Sequence, residues 1–346
     1  MLLERPSICA ESPVSEAAVL AFLRQPASYP NGTVRVEVKR THLSWVFITD
    51  RHVFKLKKRV VDELVDFRRA AARRANCETE LRLNRRLAPA VYLEVVPVTL
   101  QPGGQLSLGG SGEPVDWLVK MARLDPDRFL DRAIQRKSVD RAALQQVGQL
   151  LNGFYRAAPA VDIDPDRYLA QHHRRIAEAR QIIATLGLPE FQHPASTATG
   201  ALVDFLRDHG GLLIQRLRPG TIRDVHGDLR PEHIHLGAPV AVIDCLEFAA
   251  PLRQLDPVEE LAYFAMECER LDAGWIGELL FADCATALGG APPPRLVAFY
   301  KAIRALQRTR LTLRHATMPG DRSPHYWLAQ AAGYLAASCE YVARLS

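Results

Sequence analysis

Two acidic residues, Asp228 and Asp244, flank a segment whose pattern predicts a β-hairpin. Residues 234–236 are an apolar run, residues 240–243 are a largely β-branched run, and Gly-Ala-Pro at 237–239 separates them, which is typical of a tight turn. Antiparallel pairing of the two runs would bring both carboxylates to one end of the hairpin. Phosphoryl transfer uses such a pair, because one carboxylate orients the attacking hydroxyl and another holds magnesium on the nucleotide phosphates.

The expected register of this hairpin follows from its short turn. If Leu236 faces Val240, then Asp244 returns to a position opposite Glu232 and His233. The sequence therefore predicts that Asp244 lies beside Glu232 and His233, which follow Asp228 by only a few positions.

The segment resembles the catalytic loop and the metal-binding Asp of the protein-kinase-like superfamily. His226-Gly227-Asp228 is closest to the aminoglycoside phosphotransferase branch, which has His-Gly-Asp where protein kinases have His-Arg-Asp. The resemblance implies that Asp228 is the catalytic residue, that His226 braces the loop, and that Asp244 is a metal ligand. Arg230 stands where protein kinases often carry a Lys that touches the transferred phosphate.

Two positions depart from the superfamily pattern. The second metal-ligand position holds His233 instead of Asn, and Asp244 is followed by Cys-Leu-Glu instead of Phe-Gly. Magnesium prefers oxygen ligands, whereas imidazole suits softer transition metals. We therefore leave three roles open for His233: a hydrogen-bond donor, a weak metal site, or a site that favours manganese. Glu247 is a candidate for the missing oxygen ligand.

The N-terminal part of the chain alternates apolar and charged residues, which predicts strands over 34–40, 43–49 and 52–58. Lys55 falls where the superfamily's Val-Ala-Ile-Lys strand would place the lysine that binds the nucleotide phosphates. Lys57 lies on the same face by the two-residue period and is the second candidate. A solvated group of basic residues is the alternative interpretation.

A charged helix is predicted over residues 66–87. In the superfamily the helix after the lysine strand carries a Glu that pairs with the Lys, and Glu80 fits that position best, with Glu78 as the alternative. A surface salt bridge of Glu78 with Arg82 is the competing interpretation.

Two further nucleotide contacts are weaker predictions. Residues 41–44 occupy the place of the phosphate-covering loop but contain no Gly-x-Gly-x-x-Gly, so contact would come from backbone N–H groups or from Ser44. Met121 ends an apolar strand where the superfamily has the hinge that binds adenine, although a plain core position is nearly as well supported.

The resemblance implies an α+β, protein-kinase-like fold with two lobes. We expect residues 1–122 to form an N-lobe with a small antiparallel sheet and one long helix, and residues 123–346 to form a mostly helical C-lobe with the catalytic loop at 224–248. Helices are predicted over 138–159, 166–188, 197–217, 296–315 and 326–345. Residues 255–262 resemble the phosphotransferase pattern Asp-Pro-x-x-Asp-Leu-Ala, and Asp256 is predicted to cap the helix that begins at Pro257.

Charged residues of the C-terminal part allow two interpretations. An acidic group could bind a cationic acceptor or could simply be solvated; its members are Asp256, Glu259, Glu260, Glu267 and Glu269. A basic group could face an anionic acceptor, although a solvated helix face is the favoured prediction; its members are Arg304, Arg308, Arg310 and Arg314.

Composition favours an ordinary globular protein. The 346 residues are 48% hydrophobic and 24% charged, and no apolar run approaches the roughly 18 residues that a spanning helix needs. The N-terminus has no apolar signal region, so a cytoplasmic location is expected, and the six scattered cysteines, including Cys9, are expected to be reduced thiols. The net charge of +5 comes without a basic, aromatic-interleaved stripe, so neither nucleic acid nor a membrane is expected as a partner.

The sequence thus predicts a kinase that moves the γ-phosphate of ATP or GTP to a hydroxyl group of a small molecule, with Mg²⁺, or alternatively Mn²⁺, as its metal. A catalytically weak or inactive nucleotide-binding pseudokinase is the alternative, and nucleotidyl transfer is a third interpretation. Residues 77–97 also resemble an uncharacterised bacterial subgroup of predicted kinases that often carry a second, P-loop domain, whose Gly-x-x-x-x-Gly-Lys-Ser/Thr motif this sequence lacks.

Overall fold

The computed structural model describes residues 13–30, 32–318 and 322–345. The chain divides into two compact units, which are Met1–Asp125 with Glu247–Ala249, and Pro126–Leu246 with Ala250–Ser346. The division thus falls after Asp125, and the three residues 247–249, which follow the hairpin, belong to the first unit. The prediction that concerns Cys9 lies outside the described residues.

The first unit is built on a six-stranded antiparallel sheet. Its elements in chain order are α1 (Glu16–Leu23), β1 (Glu37–Arg40), β2 (Ser44–Ile48), β3 (His52–Lys57), α2 (Ala70–Asn84), β4 (Tyr92–Leu100), β5 (Leu106–Leu108) and β6 (Glu113–Ala122). The strands lie in the order β1-β2-β3-β6-β4-β5, and each neighbouring pair is antiparallel.

Strand β3 separates an apolar face of the sheet from a charged face. Phe54 and Leu56 are buried in the same core cluster as the apolar residues of α1. Because side chains alternate along a strand, Lys55 and Lys57 point to the opposite face, where helix α2 carries Glu80.

Helix α2 is fixed to the sheet by a buried ion pair. Arg73 donates from Nε and Nη2 to the two carboxylate oxygens of Asp116 on β6, at 2.8 and 2.9 Å. Such a bidentate pair sets the orientation of the helix as well as its position. The helix begins at Ala70, four residues after the predicted start.

The second unit is mostly helical. Its elements are α3 (Leu130–Gln135), α4 (Arg141–Ala157), α5 (Pro165–Leu186), α6 (Pro189–Ile214), β7 (Arg223–Asp224), β8 (Ile234–His235), β9 (Ala241–Val242), β10 (Gln254–Leu255), α7 (Pro257–Glu269), α8 (Gly274–Asp283), α9 (Ala285–Leu288), α10 (Pro294–Ala316) and α11 (Pro324–Val342). Helix α6 begins eight residues before the predicted start at 197, and it contains Pro194 within its first turns.

Helix α7 lies at the centre of this unit, since every residue from 257 to 268 is buried. Asp256 caps its N-terminus by accepting a hydrogen bond from the Val258 N–H at 3.0 Å, as predicted, with Pro257 in the first turn. Arg216 also donates to both oxygens of Asp256, at 2.8 and 3.1 Å.

Most acidic residues of this helix are buried and paired, so the interpretation that they are simply solvated was wrong for Glu259 and Glu267. Glu259 binds Arg175 and Arg304, each at 2.8 Å, and Glu267 accepts from the Tyr334 hydroxyl at 2.9 Å. The prediction of a solvated arginine face was wrong for Arg304, whose side chain is only 11% exposed. Burial of an acid requires a partner for its charge, and helices α5, α10 and α11 supply these partners.

No helix in the described ranges combines the length and the apolar character needed to cross a membrane.

Candidate active site

The hairpin has the predicted register. Ile234 pairs with Val242 and His235 with Ala241, which continues to Leu236 opposite Val240. The Ile243 N–H donates to the His233 carbonyl at 2.9 Å, so the chain returns beside His233 before it reaches Asp244.

His233 lies between the two acids. Its Nδ1 is 2.8 Å from the Asp228 carbonyl oxygen and 3.9 Å from Asp228 Oδ2, and its Nε2 is 3.7 Å from Asp244 Oδ2. A carbonyl oxygen only accepts, so Nδ1 carries a proton. In the neutral imidazole Nε2 then accepts from Arg230 Nη2, 3.2 Å away. The hydrogen-bond role considered for His233 is therefore present, and its metal-binding role stays a prediction.

Asp228 is held by a hydroxyl and a guanidinium. Tyr263 donates from Oη to Oδ1 at 3.0 Å, and Arg230 Nη2 lies 3.2 Å from Oδ2. Burial alone would raise the pKa of Asp228, but Arg230 and His233 outweigh it, and the pKa lies below its ordinary value. The side chain keeps 21% of its surface exposed. Asp228 is thus an ionised carboxylate that remains partly exposed.

His226 joins the loop to the returning strand. Its Nε2 is 2.9 Å from the Ile243 carbonyl oxygen, and its Nδ1 accepts from the Asp228 N–H at 3.4 Å. Burial is the largest cause that lowers its pKa to about 4, so the ring is neutral at pH 7. Its contacts match the bracing role that the resemblance implied.

Glu260 fixes the loop backbone, and the sequence analysis did not single it out. One of its oxygens accepts from the His226 N–H at 3.2 Å and the other accepts from the Gly227 N–H, while Tyr155 donates to the first at 3.1 Å. Burial raises the pKa of Glu260 to about 7. The signal was available, because Glu260 occupies the second acidic position of the Asp-Pro-x-x-Asp-Leu-Ala pattern that opens helix α7.

Asp244 projects from an unusual backbone conformation. Its φ of +63° is in the left-handed region, which Asp tolerates better than most residues, and its side chain is 47% exposed. No cluster of three or more His, Cys, Asp and Glu side chains suited to a metal ion occurs in the part of the chain that the structure describes. Magnesium commonly takes one or two carboxylates, with water and phosphate oxygens completing its shell, so a single exposed Asp fits such an ion when a nucleotide accompanies it.

In the first unit, the ion pair predicted between Lys55 and Glu80 is present, at 2.9 Å. Lys57 Nζ lies 2.5 Å from the other oxygen of Glu80 and also pairs with Glu247. The Glu247 carboxylate thus binds an ammonium group, so its predicted role as a metal ligand would require it to leave that pair. Glu78, the alternative to Glu80, lies on the surface, 53% exposed.

The remaining predicted contacts with a nucleotide involve buried side chains. Ser44 is 1% exposed, and its N–H donates to Thr41 Oγ1 at 3.0 Å, while Met121 is 9% exposed at the end of β6. The side chain of Lys57 is completely buried. Direct contact of Ser44 or Lys57 with a ligand would need movement of the surrounding chain.

Solved structures identify the fold. An ethanolamine kinase from Plasmodium vivax superposes with a TM-score of 0.54 and 10% identity, covering 95% of this chain and 91% of its own. Choline kinase LicA from Streptococcus pneumoniae gives 0.54 and 12%, covering 88% and 94%. The chain therefore has the two-lobe, protein-kinase-like fold that its motifs predicted.

Sequence comparison adds a relative at higher identity. An uncharacterized protein of Mycobacterium tuberculosis is 30% identical over 287 residues, which is 80% of this chain and 54% of the relative. The chain thus spans about half the length of the curated relatives it matches. No family model matches the sequence.

Proposed function

We propose that this protein is a metal-dependent phosphotransferase that moves the γ-phosphate of ATP or GTP to a hydroxyl group of a small molecule. The observation that carries the proposal is the arrangement of Asp228 and Asp244 on either side of His233. It supplies one ionised carboxylate for an acceptor hydroxyl and a second, exposed carboxylate for a divalent ion. The similar structures support it, since their names are those of small-molecule kinases and LicA has also been solved in complex with AMP.

The proposal assigns a role to each group. Asp228 orients the acceptor hydroxyl, and Arg230 stabilises charge on the phosphoryl group that is transferred. His226 keeps the loop in shape, and Lys55 paired with Glu80 binds nucleotide phosphates. The low pKa of Asp228 suits this scheme, because positioning and electrostatic stabilisation supply most of the rate in phosphoryl transfer.

Magnesium, when bound, would neutralise the charge of the phosphates. Asp244 would hold it, together with phosphate oxygens and water. His233 Nε2 is hydrogen-bonded to Arg230 and Glu247 is paired with Lys57, so neither side chain supplies a ready second metal ligand. We therefore expect Asp244 to be the principal protein ligand.

The acceptor is not expected to be selected by an acidic pocket. Glu259 and Glu267 of helix α7 already bind arginine or tyrosine side chains, so an added cation would have to displace these partners. Within the class of small alcohols the acceptor stays open.

The second candidate function is a nucleotide-binding pseudokinase. His233 favours it, because imidazole replaces the oxygen ligand at the second metal position.

A screen of hydroxyl-bearing metabolites for stimulated ATP consumption, with Mg²⁺ and with Mn²⁺, separates the two candidates. The phosphotransferase proposal expects at least one alcohol to stimulate consumption only when a metal is present. Binding of ATP without turnover under either metal would favour the pseudokinase.

A further inference from the structure

Lys57 is a fully buried lysine between two carboxylates. Its Nζ lies 2.5 Å from Glu80 Oε2 and also pairs with Glu247, and the side chains of Lys57 and Glu80 have no exposed surface. Lys55, two positions earlier on β3, donates to Glu80 Oε1 at 2.9 Å and keeps 13% of its side chain exposed. Each oxygen of Glu80 therefore faces a different ammonium group.

The two lysines differ in what they can reach. Lys55 has exposed surface, so a phosphate group can approach it, whereas Lys57 is enclosed by the residues around it. Burial alone would lower the pKa of Lys57, but Glu247 and Glu80 raise it above its ordinary value, so Lys57 remains an ammonium ion. A charged group buried in this way can only act on its neighbours.

Lys57 acts on the carboxylate of Glu80. A carboxylate bound through one oxygen can turn about its terminal bond, because that torsion has broad minima. Each oxygen of Glu80 lies within ion-pair distance of a lysine ammonium group, and Glu247 pairs with the ammonium that faces the second oxygen. The orientation of the oxygen that faces Lys55 is thus determined by the other two side chains.

We propose that Lys57 and Glu247 are a positioning pair that fixes the carboxylate of Glu80, so that the Lys55 ammonium is held where a nucleotide phosphate binds. This inference rests on the proposed nucleotide-binding function. It gives Glu247 a positioning role instead of metal ligation. It also means that Lys57 strengthens phosphate binding without contacting the phosphate.

The test measures the affinity of the full chain for ATP and for adenosine, with metal removed by EDTA. Lys57→Met is expected to weaken ATP binding by about tenfold or more, the loss that a misplaced charged hydrogen bond produces. Adenosine lacks the phosphates that Lys55 would meet, so its affinity is expected to stay unchanged. A general loss of structure would weaken both ligands.

Because Lys57→Met could weaken ATP binding simply by unfolding the protein, two further variants are measured beside it. The double variant Lys57→Met with Glu247→Leu leaves no unpaired charge from this pair, so it is expected to fold and still to bind ATP about tenfold more weakly. Arg175→Met is the matched control, because Glu259, like Glu80, is a buried carboxylate with two cationic partners, but it lies in the second unit. The folded fraction of this control is expected to bind ATP normally.

The outcomes separate the inference from the function on which it rests. Normal ATP affinity in the folded double variant, or equal losses for ATP and adenosine, would overturn the positioning role and leave the proposed function standing. Absence of ATP binding in the unaltered chain would overturn both.

Discussion

Single buried residues in this protein are fixed by neighbours that come from distant parts of the chain. His172 is an example in the second unit. Its ring packs against Tyr168, Phe299 and Tyr300, with ring centroids 4.8, 5.6 and 6.1 Å away. Neither ring nitrogen has a hydrogen-bond partner among the described residues, so an apolar ring of similar shape would satisfy this site as well.

The first prediction concerns the pH dependence that His172 gives to stability. Burial, aided by Arg175, lowers its pKa from 6.5 to about 3. The unfolded chain therefore binds this proton near pH 6.5 and the folded chain only near pH 3. Its contribution to stability is complete above pH 6.5 and is lost as the pH falls towards 3.

The substitution His172→Phe removes the contribution of His172 protonation to the pH dependence of stability. Between pH 6.5 and pH 5, the unaltered chain is expected to lose about 2 kcal/mol more stability than the variant. Urea unfolding at the two pH values measures the difference. Equal losses in the two proteins would show that His172 is not neutral in the folded state.

At the scale of elements, the catalytic loop depends on one close approach of the backbone. Gly227 has a φ of +88°, and a Cβ at this position would lie 3.1 Å from Leu246 Cδ1, Arg253 Cγ and the Leu252 carbonyl oxygen. The loop can thus pass against residues 246–253 and place its N–H groups on Glu260 only because no side chain intervenes.

The second prediction compares the same substitution at two glycines. Gly227→Ala is expected to destabilise the protein by about 1–3 kcal/mol and to lower the rate of phosphotransfer, because both the backbone and its neighbours must shift. Gly153 lies on the exposed face of α4 with open space around it. Gly153→Ala is expected to stabilise by about 0.5–1 kcal/mol.

Thermal unfolding of both variants, together with their turnover, checks this comparison. A Gly227→Ala variant as stable and as active as the unaltered chain would contradict the tight packing of the loop.

The third prediction concerns the contact between helix α7 and the loop. In Glu260→Gln, the amide group can accept only at its oxygen, so one of the two loop N–H groups loses its acceptor. We expect turnover to fall about tenfold while ATP affinity is retained, since the loss falls on the loop that carries Asp228.

Steady-state kinetics and a binding titration measure these two quantities. Glu259→Gln, on the same helix but facing Arg175 and Arg304, serves as a comparison that alters stability and leaves the loop contacts in place. A Glu260→Gln variant with unchanged turnover would contradict the role of this helix in holding the loop.

At the scale of the whole molecule, the sequence predicted correctly those features that depend on residues close together in the chain. The short turn fixed the hairpin register, and Asp256 ahead of Pro257 fixed the start of α7. The start of α6 was missed because Pro194 is the sixth residue of the helix, where a proline lacks the N–H that would bond to the Glu190 carbonyl and usually breaks the helix.

Other features depend on pairings that no local pattern contains. Lys57 lies 190 positions from Glu247, and Arg304 binds Glu259 on a different helix. Charged residues are usually solvated, so a sequence alone favours exposure until the partner across the core is known. The same limit explains why Glu260 was grouped with acidic surface residues.

The measurement that tests the central claim most directly follows labelled phosphate from ATP into pooled small alcohols. With label on the γ-phosphate we predict metal-dependent transfer to a small molecule, reduced by about a hundredfold or more in Asp228→Asn and unchanged in Asp208→Asn, a surface control paired with Arg207. Transfer of an α-phosphate label, or no transfer by a protein that still binds ATP, would contradict the account.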